Sequence, residues 1–372
     1  MSKLDELLQG VDVEWLPLGK ISEIKTGKGV TKKDCLPSGI YPIISGGVNP
    51  MGYIDSFNRK ENTVTISRVG ANAGFVNFIT KKFYLNDKCF SILQKEIYIN
   101  KIESKYLYYF LKSVEEKIIE LQSEGGVPTI NTVKVSGIKL PIPCPDNPEK
   151  SLEIQREIVR VLDELTTLTN QLTTELETER QNRKKQFEFF REQMFRFEEG
   201  ELDLVKLGDL CKIASGKNKD KSDNGKYILY GSTGIIGKTD VKKFDSERIL
   251  VARVGANAGF VYIADGEYDV SDNALVIEKS EKVLTKFLYY FLFNMNLNQF
   301  AKGAGQPLIT GTFLKNIYIS IPSQEEQERI VKLLDQFDAT HTAIEEEITK
   351  EIKLRTQQYE YYREKLLSFP QN

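Results

Sequence analysis

The stretch Ser232-Thr233-Gly234-Ile235-Ile236-Gly237-Lys238-Thr239 comes close to a phosphate-binding loop. In such a loop glycines let backbone N–H groups cradle the phosphates, a lysine reaches the outer ones and a hydroxyl holds Mg²⁺. Serine stands here where the first glycine belongs. A second set, Asp87 with Glu103-Ser104-Lys105, has the carboxylates and lysine with which nucleases hold Mg²⁺ and activate water. Asn49-Pro50-Met51-Gly52 starts like the Asn-Pro-Pro-Tyr motif of a DNA methyltransferase but lacks its second proline and aromatic ring, and no glycine-rich cofactor-binding sequence accompanies it. The single histidine, His341, leaves no convincing Ser-His-Asp arrangement and no partner set for zinc.

Other residues have the chemistry of recognition. Arginine reads guanine and asparagine reads adenine by paired hydrogen bonds in the major groove. Arg68 with Asn72, and Arg253 with Asn257, are candidates on that ground, although the glycines around them equally suit a structural hairpin. Lys25, Lys28, Lys32 and Lys33, and again Lys217, Lys219 and Lys221, make two basic, glycine-containing loops after the opening Leu-Gly turn, suited to phosphate. The plainer alternative for each lysine is an ordinary solvated side chain.

These motifs fall inside an internal repeat, which tests them. Ser67-Arg68-Val69-Gly70-Ala71-Asn72-Ala73-Gly74-Phe75-Val76 returns 185 residues later as Ala252-Arg253-Val254-Gly255-Ala256-Asn257-Ala258-Gly259-Phe260-Val261. Leu18-Gly19 matches Leu207-Gly208, Tyr106-Leu107-Tyr108-Tyr109 matches Phe287-Leu288-Tyr289-Tyr290, and Pro128-Thr129-Ile130 matches Pro307-Leu308-Ile309, always in the same order. The first copy has Tyr53 and Ile54 in place of Lys238 and Thr239, and the second has Leu284-Thr285-Lys286 in place of Glu103-Ser104-Lys105. Neither catalytic motif is complete in both copies, so a turn between strands and a binding surface are expected instead. If the copies read different half-sites, matching residues should hold structure or phosphate and differing ones should choose bases. Arg68 and Arg253 are then positioners. Base choice falls to places such as Asn49 against Gly234, or Asn131 and Thr132 against Thr310 and Gly311.

The elements that must position these residues follow from pattern and charge. Segments such as Thr63-Val64-Thr65-Ile66-Ser67 and Phe260-Val261-Tyr262-Ile263 are short, β-branched or aromatic, and bounded by glycine and polar residues, as strands are. One helix per copy is expected around Tyr106 to Leu121 and Phe287 to Phe300. Beyond each of these blocks apolar residues recur every three or four positions, at Ile154, Ile158, Val161, Leu165, Leu168, Leu172 and Leu176, and at Ile330, Leu334, Phe337, His341, Ile344, Ile348 and Ile352. That spacing marks one face of a long helix and approaches a coiled-coil seam. The expected fold class is α+β: a globular domain plus a long helix, duplicated in tandem. The two helices are expected to pack as an antiparallel coiled coil with pseudo-twofold symmetry, the alternative being two independent coiled coils that serve homo-oligomers.

Charge divides along the same lines. The chain of 372 residues carries a net −2, but residues 15–150 hold 19 basic and 13 acidic side chains, and residues 204–322 hold 16 and 12. Residues 151–203 and 323–372 are net −5 and −4. The basic blocks suit a phosphate backbone, and the acidic helices with their aromatic ends, Phe187 to Phe197 and Tyr359 to Phe369, suit protein docking. The widely spaced Cys35, Cys89, Cys144 and Cys211 read as reduced thiols. The acidic start with Asp5 and Glu6, and the lack of any long apolar run, make the cytoplasm the expected location and membrane association unexpected.

The whole chain resembles the specificity subunit of type I restriction-modification enzymes. The resemblance rests on the duplicated plan and on a domain ending of Gln306-Pro307, then Leu314-Lys315-Asn316-Ile317 leading to Ile321-Pro322, then Glu326-Gln327 with Ile330. The first copy departs from it with Val127 in place of the glutamine and an insertion from Cys144 to Ser151. The resemblance implies target-recognition domains at 1–150 and 201–322, each followed by a spacer helix, at 151–200 and 323–372. It implies that each domain reads a few base pairs of double-stranded DNA while the helices set the spacer; Gln306, in the domain ending, joins Asn131 and Thr310 from the repeat comparison as a candidate contact. It further implies no catalysis by this chain. Two modification subunits would carry S-adenosylmethionine and methylate adenine N6, and restriction subunits would supply ATP-driven, Mg²⁺-dependent cleavage. The rival reading is a stand-alone DNA-binding protein that recruits no methyltransferase.

Overall fold

The computed structural model describes residues 9–123, 126–197, 202, 204–218, 220–278, 280–303 and 305–369. The chain divides into two compact units, residues 1–176 with 350–372, and residues 177–349.

In the first unit a four-stranded antiparallel sheet runs in the order Ser22–Thr26, Cys89–Gln94, Thr63–Ser67, Val76–Ile79. The β-branched run Thr63-Val64-Thr65-Ile66 suits a pleat covered on both faces, and all five residues of its strand are buried. Helix Ser104–Ser113 covers the sheet and turns Tyr106, Leu107, Phe110 and Leu111 into one core with Val64, Ile66, Phe90 and Ile92. A three-stranded sheet, Tyr53–Ile54, Tyr41–Ile44 and Tyr84–Leu85, adds a small cluster of Ile44, Phe83, Leu85 and Cys89. The pair Val13–Pro17 and Lys139–Pro143 ties the two ends of the domain together.

The second unit repeats this plan strand for strand. Its larger sheet is ordered Ile213–Ser215, Ala274–Ile277, Arg248–Ala252, Val261–Ala264, and its smaller one Gly234–Thr239, Tyr227–Gly231, Tyr268–Val270. Leu204–Lys206 pairs with Tyr318–Ser320, and helix Thr285–Asn294 covers the core. Two copies of one domain therefore stand in tandem, each followed by a long helix, Pro148–Met194 and Gln324–Leu367.

The apolar stripe of each long helix serves two partners in succession. Ile154, Ile158 and Leu162 belong to the core of the first domain, and Ile330 and Leu334 to the core of the second. Farther along, within the second unit, Phe190 stacks on Phe337 at 5.5 Å, Phe187 lies 5.3 Å from the His341 ring, and Arg180 pairs with Glu345 at 3.0 Å. These pairings run in opposite directions along the two segments, as antiparallel helices require. In the first unit Thr166 donates to the Tyr359 hydroxyl at 3.3 Å, and Leu367 is buried in the domain core. Of the positions expected on the stripe Leu168 is exposed, at 61%, while Leu162, off the stripe, is fully buried.

Candidate nucleic-acid interface

Antiparallel order brings alternate connections to the same end of a sheet. In the first unit Thr26 pairs with Phe90, Ser67 with Cys89 and Ile66 with Val76, so segments 27–30, 68–75 and 86–88 share one sheet end. Backbone bonds tie them together. The Lys28 N–H donates to the Leu85 carbonyl at 3.0 Å and the Arg68 N–H to the Lys88 carbonyl at 2.8 Å, while the Asn86 carboxamide reaches the Val30 carbonyl at 2.8 Å. A fourth segment joins them, because Gly70 N–H donates to the Pro128 carbonyl at 3.0 Å and Ile130 N–H to the Arg68 carbonyl at 2.9 Å.

The second unit makes the same bonds. Lys217 N–H donates to Val270 at 3.1 Å, Arg253 N–H to Asn273 at 2.9 Å, Gly255 N–H to Pro307 at 3.0 Å and Ile309 N–H to Arg253 at 2.8 Å, each to a carbonyl oxygen. This common framework explains the ten-residue repeat. Gly70, Gly74, Gly255 and Gly259 all have φ between 83° and 103°, and the loop closes as Gly74 N–H donates to Ser67 and Gly259 N–H to Ala252, both at 2.8 Å. Glycine alone adopts that conformation freely.

The sheet end gathers Lys28, Arg68, Asn72 and Asn131 in one unit and Lys217, Arg253, Asn257, Gln306 and Thr310 in the other. Arg68 is half-buried, its guanidinium 5.8 Å from the Phe90 ring centroid, and Arg253 donates to the Asp272 carbonyl at 3.4 Å. Asn72 is exposed, and its carboxamide donates to the Gly46 carbonyl at 3.1 Å.

Several expectations change on this framework. Lys25 is not in a loop: it lies within strand Ser22–Thr26, paired at 2.5 Å with Glu23, whose carboxyl that hydrogen bond and charge hold below the ordinary value. Lys32 and Lys33 sit in the short helical turn Lys32–Asp34, closed by reciprocal Thr31–Asp34 bonds. Lys221 lies beside the hairpin strand Gly234–Thr239, where its neighbour Ser222 donates to the Lys238 carbonyl at 2.9 Å. Lys219 falls outside the described residues. Asn131 and Thr310 differ in type but perform one task. The Asn131 carboxamide oxygen accepts the Lys134 N–H at 2.9 Å, and the Thr310 hydroxyl accepts the Phe313 N–H at 3.0 Å, each capping a five-residue helical turn. That shared capping accounts for both side chains without any need for them to choose bases.

The sequence reading passed over Lys88 and Asn273. Both are exposed, and each carbonyl anchors the matching arginine's N–H. The signal was available: the 185-residue offset that aligns Arg68 with Arg253 also aligns these two.

The catalytic motifs dissolve. Ser232–Thr239 spans a β-hairpin, with strands Tyr227–Gly231 and Gly234–Thr239, where a phosphate loop needs a strand followed by a helix. Asp87 precedes and Glu103 follows the strand Cys89–Gln94, which puts them on the order of 20 Å apart at about 3.3 Å per residue. Lys105 is held by Asp163 at 2.7 Å. Among the described residues no group of three or more His, Cys, Asp or Glu is placed to hold a metal, and no helix is long and apolar enough to cross a membrane.

Two copies of a small α+β domain, each presenting arginine, asparagine and lysine from one sheet end, define a duplicated polar recognition module. Comparison with known proteins says which kind. The family model described as "Type I restriction modification DNA specificity domain" matches residues 10–179 and 199–354. The Escherichia coli type I restriction enzyme EcoR124I/EcoR124II specificity subunit is 33% identical, over 100% of this chain and 98% of that protein. The Escherichia coli EcoprrI specificity subunit is 31% identical, over 93% and 92%. Among solved structures, a chain from a study of complex assembly and conformational transition of the type I R-M system aligns with TM-score 0.75 at 16% identity, over 95% of this chain and 97% of that one. The HsdS subunit from Thermoanaerobacter tengcongensis aligns with TM-score 0.56 at 15% identity, over 95% and 96%. At such identities the structures bear on the fold alone. The chain belongs to the type I restriction-modification DNA specificity family. It is a specificity subunit with two DNA-recognition domains, and not the catalyst of its complex.

Proposed function

We propose that the chain recognises a bipartite target in double-stranded DNA, one half-site per domain, and brings modification and restriction subunits to it. The carrying observation is the pair of equivalent sheet ends. In each, matching lysine, arginine and asparagine (Lys28, Arg68 and Asn72; Lys217, Arg253 and Asn257) hang on the same backbone bonds. Matched residues in domains that read different half-sites position the duplex through its phosphates, and differing neighbours choose the bases. Lys25, Lys32, Lys33 and Lys221 add positive charge around that surface, and Asn131, Gln306 and Thr310 line its rim. Two modest half-site affinities on one chain combine by avidity, so neither domain has to bind tightly alone.

Two modification subunits dock on the long helices in this reading. The acidic charge of both segments supports it, as do Phe189 and Tyr361, which lie 172 residues apart in the repeat and are 57% and 60% exposed. S-adenosylmethionine, and the ATP and Mg²⁺ of cleavage, belong to the partner subunits. The test is methylome sequencing of a methylation-free host that expresses this chain with a modification subunit encoded beside it, against the modification subunit alone. A chain-dependent, two-part N6-methyladenine motif is the expected result. Soluble, associated proteins with no new methylation would overturn the proposal in favour of a DNA-binding protein that works without a methyltransferase.

A further inference from the structure

Within the two matched frameworks, an exposed position at the sheet end changes its chemistry. Leu85-Asn86-Asp87-Lys88-Cys89 corresponds to Val270-Ser271-Asp272-Asn273-Ala274 at the constant offset of 185. The turn is built alike in both. The Asn86 side chain accepts the Lys88 N–H at 3.1 Å, and the Ser271 hydroxyl accepts the Asn273 N–H at 3.4 Å. The carbonyls of Lys88 and Asn273 then accept the N–H groups of Arg68 and Arg253, at 2.8 and 2.9 Å. Asn86 N–H donates to Ile44 at 2.9 Å and Ser271 N–H to Tyr230 at 2.8 Å, so each turn is also anchored to its smaller sheet.

The backbone therefore delivers residues 88 and 273 to the same place beside a matched arginine, with a matched lysine, Lys28 or Lys217, one bonded segment away. Asn131 and Thr310 also differ between the copies, but their acceptors are engaged in capping. At 88 and 273 the side chains are exposed and chemically unlike: an ammonium group with donors only, and a carboxamide with both a donor and an acceptor. A donor-only group matches the O6 and N7 acceptors of guanine, and a carboxamide matches the N6 donor and N7 acceptor of adenine.

We propose, on the reading of function given above, that Lys88 and Asn273 are specificity-determining residues that contact bases at equivalent positions of the two half-sites. Lys88 selects guanine in the half-site of the first domain, and Asn273 selects adenine in that of the second. Each acts independently, because each sits in its own copy of the frame.

The test uses the full chain assembled with its modification subunit and selection of bound duplexes from a randomised pool, alongside methylome sequencing. Asn273→Lys should move one position of one half-site from adenine toward guanine, and Lys88→Asn should do the reverse in the other, with the remaining positions unchanged. Asn273→Ala and Lys88→Ala, which leave the backbone turn intact, should relax discrimination at the same single positions by roughly five- to a hundredfold. Uniform weakening over all sequences with the motif unchanged would make these residues phosphate contacts and overturn the inference. So would an unchanged motif at unchanged affinity. Failure of the wild-type complex to give any chain-dependent motif would instead refute the functional reading on which the inference rests.

Discussion

Asp335 accepts the Tyr290 hydroxyl at 2.8 Å, on the same carboxylate that takes the Lys286 ammonium at 2.7 Å. Asp163 holds Tyr109 and Lys105 in the same way in the other copy. Two turns earlier on each long helix, Gln155 and Gln327 accept the N–H of Glu103 and Leu284 at 2.8 and 2.9 Å. Each domain helix is thus pinned to its own long helix at points about 12 Å apart, given 1.5 Å per residue. The outer pin is half-exposed and the inner one is buried, Gln155 at 0% and Gln327 at 1% exposure.

That difference sets an order of costs. Gln327→Leu leaves the half-buried Leu284 N–H without its acceptor, a loss of about 1–3 kcal/mol. Asp335→Asn keeps an acceptor for Tyr290 and gives up an ion pair whose side chains are 47% and 38% exposed, for which solvent screening leaves at most about 1 kcal/mol. Urea denaturation of the full chain should show the larger midpoint shift for Gln327→Leu. The reverse order would mean that the exposed pin carries the domain.

Much of the fold was legible because its signals are local. The run Thr63 to Ile66 announces a buried strand, and the repeated glycine loop announces a duplicated unit. The sheet end was not legible, since it arises from strand order, which brings residues 28, 68 and 88 together across segments far apart in sequence. Lys25 was misplaced for a related reason. Ser22–Thr26 is an edge strand with mostly exposed side chains, so its composition mimics a loop. Leu162 was missed because spacing reports that a helix face is covered, and not whether a domain core or another helix covers it.

The phosphate role of the matched cations has a salt signature. Removing one phosphate contact lowers the slope of log affinity against log salt by about 0.9 and weakens all sequences alike. Lys28→Ala and Lys217→Ala should each do so in the assembled complex while the methylated motif stays the same, and Arg68→Ala should behave likewise. A changed motif after Arg68→Ala would make that arginine a base reader.

Glycines within one loop should differ in what they tolerate. Gly255 and Gly259 have φ of 83° and 93°, but a Cβ on Gly255 meets nothing within 4 Å, whereas one on Gly259 would lie 2.4 Å from the Asn298 backbone nitrogen. Gly255→Ala should cost only the strain of its conformation, about 1–2 kcal/mol. Gly259→Ala must also push the loop off the 297–298 backbone and should cost more, with loss of DNA binding by that domain. Equal denaturation midpoints for the two variants would contradict the close packing of this loop.

Thiol reactivity reports on the sheet end from inside. Cys89 pairs with Ser67 where the glycine loop begins and is buried at 1% exposure; Cys211 is buried at 4%. Burial disfavours the thiolate and pushes both groups from an ordinary 9 up to about 11. At pH 8 both stay protonated, and the reactive thiolate is about a hundredfold scarcer than for an ordinary thiol, before steric protection is counted. Cys35 and Cys144 are only half-buried. Iodoacetamide at pH 8 followed by peptide mass spectrometry should therefore modify Cys35 and Cys144 first, and Cys89 and Cys211 only once the chain is unfolded in urea. Early modification of Cys89 in the native protein would mean that the sheet end opens in solution, and that the fixed frame presenting Arg68 and Lys88 does not persist.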